Sequence, residues 1–330
     1  MIMTAEEIRE LIAGALRRSK TSEANAASVA EAILAAELAG QGGHGLRRVA
    51  AYSAQARSGK VDGFATPKST QTRPGALAVD AANGFAYPAL DLAIDWLPGA
   101  ARSQGIAIAG IRRSHHCGVA GVPVGRLAER GTIALLLANS PGAMAPWGAS
   151  RALFGTDPIA FAAPMEDAEP IVVDVSLSKV ARGKVMAAAQ KGEAIPEGWA
   201  LDAEGRPTTD PKAALAGTMV PLGDAKGTAL ALMVELLCAG LTGANYAYEA
   251  TSFFDAEGTP PGVGQTLIAI DPAAFGPNAL SRFAVMADAV AGSEGARLPG
   301  RRRQQIRARL LRDGIAVDDA LAAEIRAIGQ

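Results

Sequence analysis

Three histidines are all the imidazole in this 330-residue chain, and two short glycine-flanked stretches hold them. His44 lies in Gly40-Gln41-Gly42-Gly43-His44-Gly45-Leu46-Arg47-Arg48, while His115 and His116 stand side by side in Ser114-His115-His116-Cys117-Gly118. Imidazole is the side chain whose ordinary pKa lets it gain or lose a proton near neutrality. Arg48, four residues after His44, adds a permanent cation whose planar fork matches a carboxylate. An acid/base group beside an anion clamp suits proton chemistry on a small organic acid. The plainer reading of a lone loop histidine is a surface or capping role.

Gly40 to Gly45 also matches G-x-G-x-x-G. That pattern cradles a pyrophosphate only when it follows a strand and opens a helix. Here the glycines close a helical pattern, so they read as a C-cap and a close backbone approach. Ser114 to Gly121 has the opposite context: a buried-strand pattern precedes it and a helix follows. Such a turn can offer backbone N–H groups to phosphate and place an imidazole at a strand end. Adjacent His-His-Cys is poor metal-ligand spacing and no acidic partner is near in sequence, so no metal is expected. Cys117 reads as a small buried side chain rather than a nucleophile.

Other polar loops follow strands. Asn139-Ser140-Pro141 and Gly155-Thr156-Asp157-Pro158 are rigid turns able to carry amide and hydroxyl groups to a ligand. Asp174-Val175-Ser176 ends another strand, and Lys179, Arg182 and Lys184 follow it, either a solvated face or a site for an anion. Ala225 and Lys226 open a long apolar helix whose N-terminus favours phosphate. Arg297-Leu298-Pro299-Gly300-Arg301-Arg302-Arg303 is either a basic helix start or a clamp on phosphate, including a ribose 2′-phosphate.

The elements that must hold these groups can be read from pattern. Thr4-x-x-Glu7 predicts a capping box and a helix to about Ser19, and Ser22 starts a second helix through Ala39. A third covers Leu46 to Arg57, and Lys60 to Thr72 reads as loop. Strands are expected at 77–80, 106–111, 132–138, 158–163, 171–175 and 266–270. Helices are expected at 87–104, 122–129, 178–191 and 225–241, with turns over 202–210 and a helical tail from Ser281 broken at Pro299-Gly300. The outline is α/β, with helical segments from both termini flanking a mixed centre. A net charge of -1 gives no general case for nucleic acid or an anionic membrane. No segment is long and apolar enough to span a bilayer. Two cysteines and no signal-like N-terminus fit a reducing cytoplasm.

Taken in order, these motifs resemble those of the malate/L-lactate dehydrogenase family of non-Rossmann NAD(P)-dependent oxidoreductases. The likeness also runs through Gly183-Lys184, Ile195 to Ala200, Pro207 to Pro211 and Lys226-Gly227, so it covers nearly the whole chain. The family includes malate, sulfolactate and ureidoglycolate dehydrogenases and reductases of piperideine- or pyrroline-2-carboxylate.

The resemblance implies a homodimer, a non-Rossmann NAD(P)-binding sheet domain over 76–274, and a discontinuous helical domain over 1–75 plus 275–330 carrying His44 and Arg48. It implies a catalytic role for His44 or His116, substrate contacts from Arg48 and Thr156, and cofactor contacts from His116, Cys117, Gly118, Val119, Ala120, Asn139, Ser140, Asp174, Val175, Ser176, Ala225, Lys226, Arg297, Leu298, Pro299, Gly300, Arg301, Arg302 and Arg303. Beside Arg47 and Arg182, Lys184 is expected to contact the substrate by neutralising a second anion on it. NADP is favoured over NAD by the arginines. Gly43 stands where relatives often carry serine, and Lys184 stands where the imine reductases carry an aspartate. The expected activity is therefore interconversion of a 2-hydroxy acid and its 2-oxo acid, of malate or sulfolactate type. A cyclic-imine reductase and a catalytically inactive ligand-binding protein are the alternatives.

Overall fold

The computed structural model describes residues 1–330. A two-residue strand β1 (Ile2–Met3) leads into α1 (Ala5–Arg17), capped as expected by the reciprocal Thr4/Glu7 box. Ile8, Ile12 and Leu16 recur at helical spacing and are fully buried. Each contributes about 1.5–3 kcal/mol by burial. The surface ion pairs of Arg9 with Glu6 and Glu31, and of Arg17 with Glu10, contribute at most about 1 kcal/mol apiece. Burial therefore holds this helix down. The alanine-rich α2 (Glu23–Leu38) packs closely on it, and α3 (Val49–Ser58) follows a 3-10 turn over Leu46–Arg48.

Next come β2 (Lys68–Arg73), β3 (Ala76–Asp80), α4 (Ala86–Gln104) and β4 (Ile106–Ser114). The strand β2 corrects the loop expected at 60–72. All six of its residues are exposed, so it carries no apolar alternation, and only its pairing with β3 makes it a strand. After α5 (Gly121–Glu129) come β5 (Ile133–Ala138), β6 (Ile159–Ala163) and β7 (Ile171–Val175). The helix α6 (Arg182–Lys191) starts later than the expected Ser178, because Ser178 is held in a loop whose hydroxyl donates to Val180 O.

The turn-rich stretch holds a three-stranded sheet of β8 (Ala200–Leu201), β9 (Pro207–Thr208) and β10 (Thr218–Met219), with α7 (Pro211–Ala216) beside it. The apolar helix is α8 (Ala225–Glu235), continued by a π-helical turn over Leu236–Gly240. Then come β11 (Val263–Ile270), α9 (Ala279–Ala291), α10 (Arg301–Asp313), β12 (Ile315–Ala316) and α11 (Asp319–Ala327).

The main sheet has the order β2-β3-β4-β11-β5-β6-β7. Only β3 and β4 are parallel neighbours. This is not the doubly wound parallel sheet of the dinucleotide-binding fold. Strand β11 lies at its centre, inserted between β4 and β5 from late in the chain. Alternation along β5 sends Leu136 into one core and Leu137 into another. The larger core, of 48 buried residues, joins the terminal helices to one face of the sheet, and the smaller, of 13, lies beneath α8. No helix is long and apolar enough to cross a membrane.

Candidate active site

The loop that carries His44 is built by the end of α2. Gly40 (φ +70°) lets its own N–H reach Glu37 O and the N–H of Gln41 reach Ala36 O, the paired bonds of a Schellman cap. Glu37 then turns its carboxylate to the N–H of Leu46 at 2.6 Å. It packs where a side chain at residue 45 would begin, so Gly45 leaves room for this carboxylate. The glycines thus close a helix, as read from the sequence. Gly43 is different: nothing lies within 4 Å of a Cβ placed there. Gly43→Ser is expected to change stability by no more than about 0.5 kcal/mol, checked by thermal unfolding.

The three imidazoles meet at this loop. His44 stacks on His116 with ring centroids 5.1 Å apart. Tyr52 Oη lies 2.6 Å from His116 Nδ1 and 3.1 Å from Tyr87 Oη. Burial pushes the Tyr52 phenol up to about 12, so it stays protonated and fixes the His116 ring. His115 is walled in by Tyr52, Phe85 and Phe253. Burial first, then the Arg48 and Lys60 charges, lower it to about 3, which leaves it a neutral packing residue.

Burial, then Arg48 and Arg303, bring His44 down to about 4. The same burial, with Arg48, His44 and His115, holds His116 well below its ordinary value. Both rings are neutral proton acceptors at neutral pH. His44 Nδ1 is buried without a hydrogen-bond partner.

Arg48 completes the cluster. Its Nε donates to Gly43 O at 2.9 Å, and its Cζ lies 4.4 Å above the Phe254 ring. Its Nη1 is buried and unpartnered. A guanidinium with one edge anchored, one face covered and one N–H unused is preorganised for a carboxylate. Filling that position with an anion would offset the Arg48 charge and raise the pKa of the neighbouring imidazoles.

Beside this cluster runs a groove of about 820 Å³ between α2, α5 and α10, lined among others by Cys117, Val119, Gly121, Gly300 and Arg303. Cys117 is buried and its thiol is pushed up to about 12 by burial, which rules out a reactive thiolate. A side chain at Gly118 (φ +69°) would strike Tyr87 Oη. Val119 and Ala120 are buried. Arg303 bridges the groove to the histidines: its Nη1 pairs with Asp174 at 3.0 Å, and the Gln41 amide oxygen, turned toward it, accepts from Nε and Nη2.

Of the remaining expected residues, three are joined by hydrogen bonds. Thr156 and Ser140 bond to each other's loops, and Ser176 donates to Thr156 O. The Asn139 amide is committed to Gly264, Asn245 and Glu235. Val175, Ala225, Lys226, Arg297, Pro299 and Arg302 are exposed, with Leu298 and Arg301 half-buried. The Lys184 ammonium is exposed over the Trp199 ring at 6.0 Å and makes no hydrogen bond or ion pair.

A second acidic feature lies under these loops. The carboxyls of Asp157 and Glu235 are buried against each other, and Glu235 Oε2 accepts from Asn139 Nδ2 and Ala247 N. Burial raises both above the ordinary carboxylate range, Asp157 well above it with help from the Glu235 charge. Between the ordinary and raised values the folded pair keeps a proton that the unfolded chain has released. Stability therefore falls as pH rises through that window and levels off above it. Asp157→Asn should flatten this slope, measured as unfolding midpoints from about pH 5 to about pH 9.

Tyr52, Phe253 and Phe254 were not singled out from the sequence. Tyr52 had a signal, one helical turn after Arg48. The two phenylalanines had none, since they reach the site from more than 130 residues beyond His116.

Residues 3–326 match the family model described as malate/L-lactate dehydrogenase. The chain is 48% identical over 326 residues to a (2R)-3-sulfolactate dehydrogenase (NADP(+)) of Chromohalobacter salexigens, covering 99% of this chain and 97% of that one. It is 41% identical to a Delta(1)-pyrroline-2-carboxylate/Delta(1)-piperideine-2-carboxylate reductase of Pseudomonas putida, covering 95% and 92%. Among solved structures, the piperideine-2-carboxylate reductase of Pseudomonas syringae superposes with a TM-score of 0.95 at 38% identity, covering 99% of both chains. The sulfolactate dehydrogenase of Methanocaldococcus jannaschii superposes with a TM-score of 0.89 at 29% identity, covering 99% of this chain and 96% of that one.

Proposed function

The chain belongs to the malate/L-lactate dehydrogenase family, and from that premise we propose that it is an NADP(H)-dependent oxidoreductase interconverting a small 2-hydroxy acid and its 2-oxo acid, of sulfolactate or malate type. The observation that carries this reading is the unpartnered Nη1 of Arg48 beside the stacked His44 and His116. It is a carboxylate site next to a proton acceptor. The 48%-identical relative, whose name gives sulfolactate and NADP(+), supports the substrate type and the cofactor.

The residues present fit a dinucleotide. The groove's volume of about 820 Å³ is enough to receive one, Gly121 and Gly300 keep its wall low against Val172, and Arg303, held in place by Asp174 and Gln41, lines it. Cys117 to Ala120, Gly300 and Arg303 would hold it. A bound nicotinamide supplies the hydride acceptor or donor.

The protein's own part is orientation and the proton. Arg48 grips the C1 carboxylate and fixes the direction of C2. Neutral His44 accepts the C2 hydroxyl proton in the oxidative direction. His116, held by Tyr52, orients the same oxygen. In the reductive direction the substrate carboxylate at Arg48 favours the imidazolium that returns the proton. The aromatic side chains around the pocket keep water from the exchange.

A homodimer is part of the reading. Leu230, Leu232, Met233, Leu236 and Leu241 are exposed on or just after α8, an apolar face that a second copy would cover. The test of the function is a panel of 2-oxo acids and pyrroline-2-carboxylate, followed by cofactor absorbance with NADPH and with NADH. Turnover of an oxo acid with NADPH is expected. Cofactor binding without turnover of any acid would leave a ligand-binding protein instead.

A further inference from the structure

The segment between the π-helical turn and β11 folds back on itself. Asn245 N donates to Gly262 O at its base, and Thr251 Oγ1 donates to Thr259 O nearer its tip. The result is a strap with close ends. Its tip carries Phe253, which packs 5.1 Å from both His115 and His116, and Phe254, which covers one face of Arg48. The next residue, Asp255, is tied to the C-terminal end of α3 and the turn after it. Lys60 Nζ donates to Asp255 Oδ1 at 2.9 Å and to its carbonyl at 3.2 Å, and Gln55 Nε2 donates to that carbonyl at 2.8 Å.

Lys60 is an unusual choice for this task. Its side chain is 1% exposed, whereas that of Asp255 is 50% exposed. A buried ammonium is costly to leave unpaired, so Lys60 specifies where the strap tip must sit. No part of the proton chemistry above uses it.

We propose that Lys60 and Asp255 are positioning residues for substrate binding: their ion pair pins the strap so that Phe254 covers Arg48 and Phe253 backs the histidines, which sets the affinity of the site for a carboxylate. The proposal rests on the reading of Arg48 as the carboxylate clamp. The covered face keeps water off the guanidinium and leaves its free edge for the anion, where an ion pair is strongest. Released from Lys60, the strap tip can lift, and the carboxylate then binds an Arg48 open to solvent.

Lys60→Met keeps the length and apolar stem of the side chain, and half-exposed Asp255 can be hydrated when its partner is lost. Asp255→Asn is the second variant, since it keeps shape and the carbonyl contacts while removing the charge. Oxalate binding is measured by calorimetry on the full chain with saturating NADP(+), alongside oxo-acid kinetics and thermal unfolding. Lys60→Met and Phe254→Ala are each expected to weaken oxalate and raise KM about tenfold while kcat changes little. The double variant should be no worse than either single one, because both remove the same cover. Asp255→Asn should move KM in the same direction by a smaller factor.

Wild-type oxalate affinity in folded Lys60→Met and Asp255→Asn proteins would overturn the proposal, as would effects of Lys60→Met and Phe254→Ala that multiply. A wild-type protein that neither binds oxalate nor turns over an oxo acid would overturn the underlying reading of Arg48, and the strap's role with it.

Discussion

Arg48→Met is expected to lower kcat/KM for a 2-oxo acid by about 10³-fold. Truncating one partner of a buried, hydrogen-bonded charge pair costs about 2–5 kcal/mol, and about 1.4 kcal/mol is a factor of ten. The upper half of that range applies because the guanidinium is already oriented by Gly43 O and covered by Phe254 before any ligand arrives. Most of the loss should fall on KM, with a smaller part on kcat, since a misplaced C2 also slows the chemical step. The same substitution removes a charge that depresses all three histidines. The His44 pKa, followed by NMR, should therefore rise from about 4 in Arg48→Met, yet stay below 6.5 because burial is its larger cause. An unchanged KM would remove Arg48 from the carboxylate site.

The second large effect is expected at the stacked imidazoles. His44→Ala should lower kcat by about 10²–10⁴-fold, the usual contribution of a positioned acid/base. His116→Ala should also lower kcat, but it leaves His44 in place to take the proton. His44 has the free buried nitrogen, whereas Nδ1 of His116 is already engaged by Tyr52. Steady-state rates of the two variants in both directions separate the roles. A fully active His44→Ala protein would transfer the acid/base role to His116, with Tyr52 and Tyr87 behind it.

Much of this site was visible in the sequence because its parts are local. His44 and Arg48 are four residues apart, and the glycines around them announce a helix end. The Ser114-His115-His116 turn follows an apolar strand pattern that the structure extends to Ser114 itself. What could not be read came from distance in the chain. The pairing of Lys60 with Asp255 spans 195 residues, and neither residue has a neighbour in sequence that marks it. The placement of β11 between β4 and β5 is equally non-local. Its apolar run announced a strand but not a position in the sheet. Strand β2 was missed for another reason: a polar, exposed edge strand has no periodicity to detect.

The central claim is that Arg48 and His44 serve a 2-hydroxy/2-oxo acid rather than a cyclic imine. The comparison that tests it most directly is kcat/KM for NADPH oxidation with sulfopyruvate or oxaloacetate against that with pyrroline-2-carboxylate. An oxo acid is expected to be preferred by about 10²-fold or more. A preference for the imine would contradict it.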